Sequence, residues 1–149
     1  MRWKPNSTVA TIIEQNGKFL FVEEEDCGRL VYNQPAGHLD ENETLTGAAI
    51  RETQEETGHS CELTGYLGLF IYTAPSNGTT YHRHCFIGDS THYDPSLPLD
   101  DGIIGIKWLT LSELIASKKA RSPLVIKCIE SYLNQTIYPL EVIYEHSHD

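Results

Sequence analysis

The sequence predicts a single α/β domain, a sandwich of helices around a mixed β-sheet. Short runs rich in β-branched and aromatic residues alternate along the chain with segments of helical pattern, and this interleaving is typical of a sheet covered by helices. The length of 149 residues is that of one domain. A domain of this size buries about 68–70% of its unfolded surface, which is enough for a core without disulfides.

The first strands are expected to form a hairpin. Val9–Ile13 and Lys18–Val22 are β-rich runs, and Asn16-Gly17 between them is a strong signal for a two-residue turn. We expect a charged loop over Glu23–Gly28 and then a short extended segment, Arg29–Tyr32.

A helix is expected to begin near Thr44 and to run to about Thr57. Thr44 can cap the first turn, and Gly58 is suited to end the helix.

The second half of the chain predicts more strands and two helices. A polar, proline-containing stretch, Asp89–Asp101, reads as a loop long enough to be functional. The tail over 145–149 is expected to fray. The expected strands are Cys61–Tyr72, Thr79–Ile87 and Ile103–Leu109, and the expected helices are Leu111–Ser117 and Pro123–Leu133.

The charge and the composition exclude several classes of function. The net charge of −10 argues against a nucleic-acid surface and against binding to anionic membranes. No segment approaches the ~18 consecutive apolar residues of a membrane helix, and the N-terminus lacks the apolar run of a signal peptide. The four cysteines are scattered without a C-x-x-C pair, and we expect reduced thiols in a cytoplasmic protein.

The most informative feature is a set of glutamates on the helix after Gly37. Glu52, Glu55 and Glu56 stand at i, i+3 and i+4, so a helix places all three carboxylates on one face. Like charges at this spacing repel, and a divalent cation between them removes the conflict. Hard oxygen ligands suit Mg²⁺, with Mn²⁺ as an alternative. Because such a cation also bridges carboxylates and phosphate oxygens, an acidic protein can act on anionic phosphates.

The stretch GHLDENETLTGAAIRETQEETG, from Gly37 to Gly58, resembles the Nudix box, a loop-helix-loop that holds magnesium against a diphosphate. Thr53 and His59 stand at packing positions where the family usually has aliphatic residues. Three further segments resemble the phosphatase branch of the Nudix hydrolases: Tyr32–Leu39, Arg121–Val125 and Tyr138–Glu141.

This resemblance implies a Nudix-type α/β/α sandwich and a set of site residues. The spacing of Arg51 and Glu55 also suits a charge-assisted contact, and a negative charge at Glu43 suits the helix N-terminus. Gly37 is expected where backbone approaches the metal, with its carbonyl as a ligand. The expected metal ligands are Gly37, Glu52, Glu55 and Glu56, the expected catalytic residues are Arg51, Glu52 and Glu55, and Glu43 supports them.

The general base stays open at the level of sequence. It is either a glutamate of the box or an acid on the long loop, where Asp94, Asp100 and Asp101 are candidates. The last two precede the strand at Ile103 and can reach a metal-bound water, although an ordinary solvated turn also explains them.

Candidate substrate contacts lie on both sides of the box. Arg83 can offer a cation to a phosphate or a base. The flanking His82 and His84 also suggest a metal pair, but a third soft ligand is missing nearby. By resemblance, Tyr32, Asn33 and Gln34 stack on a base and hydrogen-bond to it.

The sequence therefore predicts a magnesium-dependent Nudix hydrolase of a small phosphorylated substrate, acting as a monomer or a homodimer. The resemblance implies that nucleoside tri- and diphosphates and hydroxymethylpyrimidine or thiamine diphosphate release orthophosphate. One alternative is a pyrophosphohydrolase of nucleoside diphosphate sugars or dinucleoside polyphosphates. Another is an inactive module that only binds a nucleotide.

Overall fold

The structure is a computed structural model, and it describes residues 1–134 and 136–146. These residues form seven strands, three α-helices and a short 3₁₀ helix. The strands are β1 (Asn6–Gln15), β2 (Lys18–Asp26), β3 (Arg29–Asn33), β4 (Ala36–His38), β5 (His59–Thr73), β6 (Thr80–Tyr93) and β7 (Ile103–Leu109). The helices are α1 (Leu45–Thr57), α2 (Leu111–Ser117), α3 (Pro123–Leu133) and the 3₁₀ helix Leu140–Val142.

The sheet is mixed, as the sequence predicts. Its main order is β3-β2-β1-β6-β5, with β4 paired to β1 and β7 paired to β2. β1 and β6 run parallel, whereas the other strand pairs are antiparallel. The predicted α/β class with a mixed sheet is confirmed.

Both faces of β1 are buried, which places the sheet between two layers of helices. Val9 and Ile13 belong to the cluster that contains Ala48 of α1. Ile12, one residue out of phase, belongs to the opposite cluster with Ile129 of α3. Because successive side chains of a strand point to opposite faces, this single strand supplies both cores.

The helix that carries the glutamates has both of the predicted end signals. The Thr44 hydroxyl accepts a hydrogen bond from the Gly47 amide at 3.0 Å. Gly58 adopts the left-handed conformation with φ of 78°. A β-carbon there would also lie 2.8 Å from the carbonyl oxygen of Asp94, so close packing adds to the requirement for glycine. Thr53, which stands where the family usually has an aliphatic residue, donates a hydrogen bond from its hydroxyl to the Ala49 carbonyl within the helix.

Two predicted loops are wrong because strands extend through them. β2 continues to Asp26, so the expected loop over Glu23–Gly28 shrinks to a turn at Cys27-Gly28. The charged residues of β2 stay in the ladder because β3 and β7 flank this strand on either side. β6 likewise continues to Tyr93, so the long loop begins only at Asp94.

The C-terminal segment runs back across the start of α1. Ile143 packs against the core cluster on that side of the sheet, and the Glu145 carboxylate accepts from the Leu45 amide at 3.2 Å. The predicted frayed tail is wrong for Glu145 in this respect, and residues 147–149 lie outside the described part of the chain. Within the described residues, no helix is long and apolar enough to cross a membrane.

Candidate active site

Arg51 holds the glutamates of the box together. Its Nε and Nη2 atoms donate to the two carboxylate oxygens of Glu43 at 2.6 and 2.9 Å. Its Nη1 atom donates to Glu52 at 2.9 Å and to Glu55 at 3.0 Å. A further bond, 3.0 Å long, reaches the carbonyl oxygen of His38 at the end of β4. One guanidinium thereby fixes three carboxylates and ties α1 to the neighbouring strand.

The ionisation of Glu43 follows from this contact. Hydrogen bonds from Arg51, supported by one from the Asp40 backbone amide, lower the pKa of Glu43 to about 2. The same hydrogen bonds raise the pKa of Arg51. Glu43 and Arg51 are therefore both charged at neutral pH, and they form an ion pair that supports the site.

Glu56 lies in a different environment on the same helix. Its side chain is buried, and its only hydrogen bond among the described residues comes from the Ala36 amide at 2.8 Å. Burial raises the pKa of Glu56 to about 8. Burial also raises the pKa of Glu52, and the contact with Arg51 opposes this shift. Without a cation these two carboxylates are costly to ionise.

The loop after β6 brings Asp100 to the glutamates. Oxygen atoms of Glu52, Glu55 and Asp100 all lie within 4.8 Å of one another. The Asp100 backbone amide donates to the Glu55 carbonyl at 3.1 Å, which fixes the loop against the helix. Asp94 and Asp101 are not in this group. Its all-oxygen composition is the donor set that Mg²⁺ and Mn²⁺ accept.

Gly37 leaves no room for a side chain. A β-carbon on this residue would lie 2.2 Å from the Cδ atom of Glu52, so the backbone of β4 touches the carboxylate directly. The requirement for glycine is therefore one of space, since its φ is not in the left-handed region. The close approach fits the predicted position of its backbone at the metal.

A cleft of about 640 Å³ opens beside the glutamates. Its walls come from α1, from the strands of the sheet, from the β5–β6 turn and from the start of α3. The lining includes Gly37, Glu52 and Glu56 of the box, and also Glu24, Asn33, Arg83, Arg121, Ser122 and Leu124.

The structure separates the four predicted substrate contacts. Arg83 and Asn33 line the cleft. Tyr32 is only 8% exposed and packs in the core on the α3 side, and Gln34 is fully buried. The prediction that Tyr32 stacks on a substrate base is therefore corrected: pairing of its backbone with the segment before α3 turns the ring into the core.

Sequence reasoning missed an ion pair in the cleft wall. Glu24 of β2 is buried and binds the guanidinium of Arg121. Burial raises the pKa of Glu24, and the contact with Arg121 partly offsets the shift. The two residues are 97 positions apart. The sequence prediction missed this pair because it assigned Glu23–Gly28 to a loop. In the strand that the structure shows, the side chain of Glu24 points inward and lines the cleft.

The NUDIX domain family matches residues 3–127, a range that contains the carboxylates, Gly37 and the cleft strands. The chain belongs to this family. The phosphatase NudJ of Escherichia coli strain K12 is 39% identical over 141 residues, covering 95% of this chain and 92% of that protein. The same figures apply to phosphatase NudJ of Shigella flexneri. A Nudix hydrolase structure from Nitrosomonas europaea is 42% identical with a TM-score of 0.95, covering 98% of this chain and 100% of the other.

These comparisons confirm that the chain is a Nudix hydrolase and therefore an enzyme. The inactive-module alternative is accordingly set aside. The box helix of the Nudix assignment is α1, and the helix-strand sandwich is the fold of the family.

Proposed function

We propose that this Nudix hydrolase removes the terminal phosphate from small organic di- and triphosphates and releases orthophosphate. The substrates would be nucleoside tri- and diphosphates and hydroxymethylpyrimidine or thiamine diphosphate. The observation that carries the proposal is the group of carboxylates of Glu52, Glu55 and Asp100, of which Glu52 lines a cleft large enough for such a molecule. The likeness to proteins named phosphatase NudJ supports the choice of bond.

The proposed cofactor is Mg²⁺, with Mn²⁺ as a substitute. Glu52, Glu55 and Glu56 would hold it, and the backbone of Gly37, which lies against the Glu52 carboxylate, would offer its carbonyl as a further ligand. When bound, a divalent cation of this kind neutralises phosphate charge, lowers the pKa of water and stabilises a leaving oxygen.

The protein side chains supply position and proton transfer. Arg51 orients the carboxylates of Glu52 and Glu55 toward one another. The proton of the attacking water needs an acceptor, and Asp100 is better placed for this than Asp101 because its oxygen lies among the glutamates. A box glutamate remains the alternative acceptor.

The experiment measures orthophosphate from GTP, GDP and hydroxymethylpyrimidine diphosphate with purified protein and Mg²⁺. Each reaction is run with and without added inorganic pyrophosphatase. We expect the same orthophosphate signal with and without the added pyrophosphatase, and we expect excess EDTA to abolish it. A signal that needs the helper enzyme would show internal cleavage to pyrophosphate, the reaction of the alternative pyrophosphohydrolase. Turnover that persists in EDTA would contradict the metal site.

A further inference from the structure

The two arginines that line the cleft differ in their partners. Arg121 is paired with the buried carboxylate of Glu24. Arg83 is only 8% exposed, yet among the described residues no carboxylate oxygen lies within 4.0 Å of its guanidinium. Buried charges in proteins are normally paired, because removing an ion from water without a counter-charge costs several kcal/mol. Arg83 is close enough to Glu24 to interact with its charge, but a buried guanidinium at a cleft without a carboxylate in direct contact is unusual.

Two side-chain amides hold Arg83 in place. Its Nη1 atom donates to Oε1 of Gln34 at 2.8 Å, and its Nη2 atom donates to Oδ1 of Asn33 at 2.9 Å. The Gln34 amide nitrogen in turn donates to the Val125 carbonyl at 2.9 Å. Because a backbone carbonyl only accepts, Gln34 must turn its NH₂ group toward α3 and its oxygen toward Arg83. The amides therefore fix the guanidinium without neutralising it.

The position of Arg83 relative to the carboxylates follows from the strand register. Arg83 of β6 pairs with Thr8 of β1, and Thr8 pairs with His38 of β4, next to Gly37. Two strand spacings, roughly 10 Å, therefore separate the backbone of Arg83 from the edge where the carboxylates gather. Both groups line the same cleft, so a substrate with two phosphates can extend from the carboxylates toward Arg83.

The start of α3 adds to the positive potential on that side. Ser122, which caps the helix, and Leu124 of its first turn line the same cleft. The N-terminal end of a helix carries a partial positive charge.

We propose that Arg83 binds a phosphate that stays on the product, which in a diphosphate is the one next to the organic group, and this rests on the proposed release of terminal orthophosphate. The cleft has two poles. The acidic pole binds the cation and the phosphate that leaves, and the Arg83 pole binds the phosphate that remains. Substrates with at least two phosphates are selected because only they reach both poles.

The test measures product binding rather than turnover. GMP and guanosine are titrated calorimetrically into the protein in excess EDTA, where the acidic pole contributes no attraction. The proposal expects wild-type protein to bind GMP and Arg83→Gln to lose about 10- to 100-fold in affinity, the scale of a charge-assisted bond. Arg83→Lys should fall between them, since a point charge lacks the fork geometry.

A second variant protects the test against misfolding. Asn33→Asp keeps the shape of the side chain and places a carboxylate on Arg83, so it should weaken GMP binding in the same direction. Arg29→Gln removes an exposed charge from β3 and serves as the matched control, with unchanged affinity. Circular dichroism checks that each variant is folded.

Several results would overturn the inference. They are undetectable binding of GMP by wild-type protein at 10 mM, equal affinity for guanosine and GMP, and unchanged GMP affinity in Arg83→Gln. If orthophosphate is still released in those cases, the proposed function survives without the second pole. Arg83→Gln could instead lose GMP binding while the wild type releases pyrophosphate. That result would refute the proposed cleavage of the terminal phosphoanhydride bond, and the phosphate site at Arg83 would stand.

Discussion

Glu43 and Glu56 are the same residue type on the same loop-helix unit, and they lie in opposite electrostatic environments. Glu43 accepts two hydrogen bonds from Arg51, and its pKa falls to about 2. Glu56 is buried with a single backbone donor, and its pKa rises to about 8. One carboxylate already has its counter-charge in the protein, whereas the other has no cationic partner in direct contact among the described residues.

This difference distinguishes a carboxylate that supports the site from one that is expected to bind a ligand. A carboxylate that is neutralised by a neighbouring arginine stabilises the fold and orients other groups. A buried carboxylate without a partner destabilises the metal-free protein, and such a cost is expected where a ligand supplies the missing charge. Glu52 lies between the two cases, because burial raises its pKa while Arg51 opposes the shift.

The largest expected effect comes from removing the charge of the unpaired carboxylate. Glu56→Gln keeps the size of the side chain but removes the negative charge, and we expect kcat to fall roughly 10²- to 10⁴-fold, the scale of one positioned catalytic group. Circular dichroism should show an intact fold. Glu41→Gln, at an exposed position in the preceding loop, is the control. Turnover near the wild-type rate in Glu56→Gln would show that Glu56 is no more functional than Glu43.

The next effect compares two neighbouring acids on the loop. Asp100→Asn should lower kcat about 10²-fold if Asp100 accepts the proton of water, while metal affinity measured by titration stays within a few fold. Asp101→Asn should stay near the wild-type rate because Asp101 lies outside the carboxylate group. Equal rates in both single variants and the double variant would assign the base to a box glutamate.

A smaller effect is expected where backbone, rather than charge, positions a carboxylate. In Gly37→Ala the new methyl group would overlap Glu52, so the carboxylate must move. A displacement near 1 Å costs up to about 10²-fold in rate, and we expect about 10-fold or more. Gly105→Ala is the control, since its new β-carbon would lie 3.8 Å from the Oε1 atom of Glu23, an ordinary contact distance. Wild-type kinetics in Gly37→Ala would place the metal away from this edge.

The last effect is on the stability of the metal-free protein rather than on rate, and it has opposite signs for the two glutamates. Burial raises the pKa of Glu56 to about 8. The stability that protonated Glu56 contributes to the folded state is therefore lost as pH rises from about 4.5, the pKa in the unfolded chain, to 8. Glu56→Gln should therefore gain up to about 4 kcal/mol relative to wild type between pH 5 and 9.

The hydrogen bonds from Arg51 lower the pKa of Glu43 to about 2. The stability that ionised Glu43 contributes to the folded state is therefore fully present above pH 4.5 and is lost as pH falls toward 2. Glu43→Gln should accordingly be less stable than wild type at pH 7, with the gap closing in acid. Urea unfolding in EDTA measures both variants. If both variants were more stable than the wild type at pH 7, or both less stable, the opposite electrostatic environments of Glu43 and Glu56 would be refuted.

The sequence predicts the parts of this site that are local along the chain. The i, i+3, i+4 spacing places three carboxylates on one face, and Thr44 and Gly58 set the helix ends. It fails where distant segments decide the outcome. Pairing of β2 on both sides keeps charged residues in a strand and turns Glu24 into the cleft.

Long-range contacts also decide the roles of three individual residues. Gln34 reads as a substrate contact until α3, 91 residues away, supplies its partner. Asp100 and Asp101 are indistinguishable by sequence, and only the main-chain bond to Glu55 selects the first.

The loop that carries Asp100 is attached at both ends by main-chain atoms. The Asp94 amide donates to the Gly58 carbonyl at 3.0 Å, and the Asp100 amide donates to the Glu55 carbonyl at 3.1 Å. Main-chain bonds of this kind do not depend on which side chains lie between them. We therefore expect substitutions between Pro95 and Leu99 to change the surface of the loop while the acid at its end keeps its place beside the glutamates.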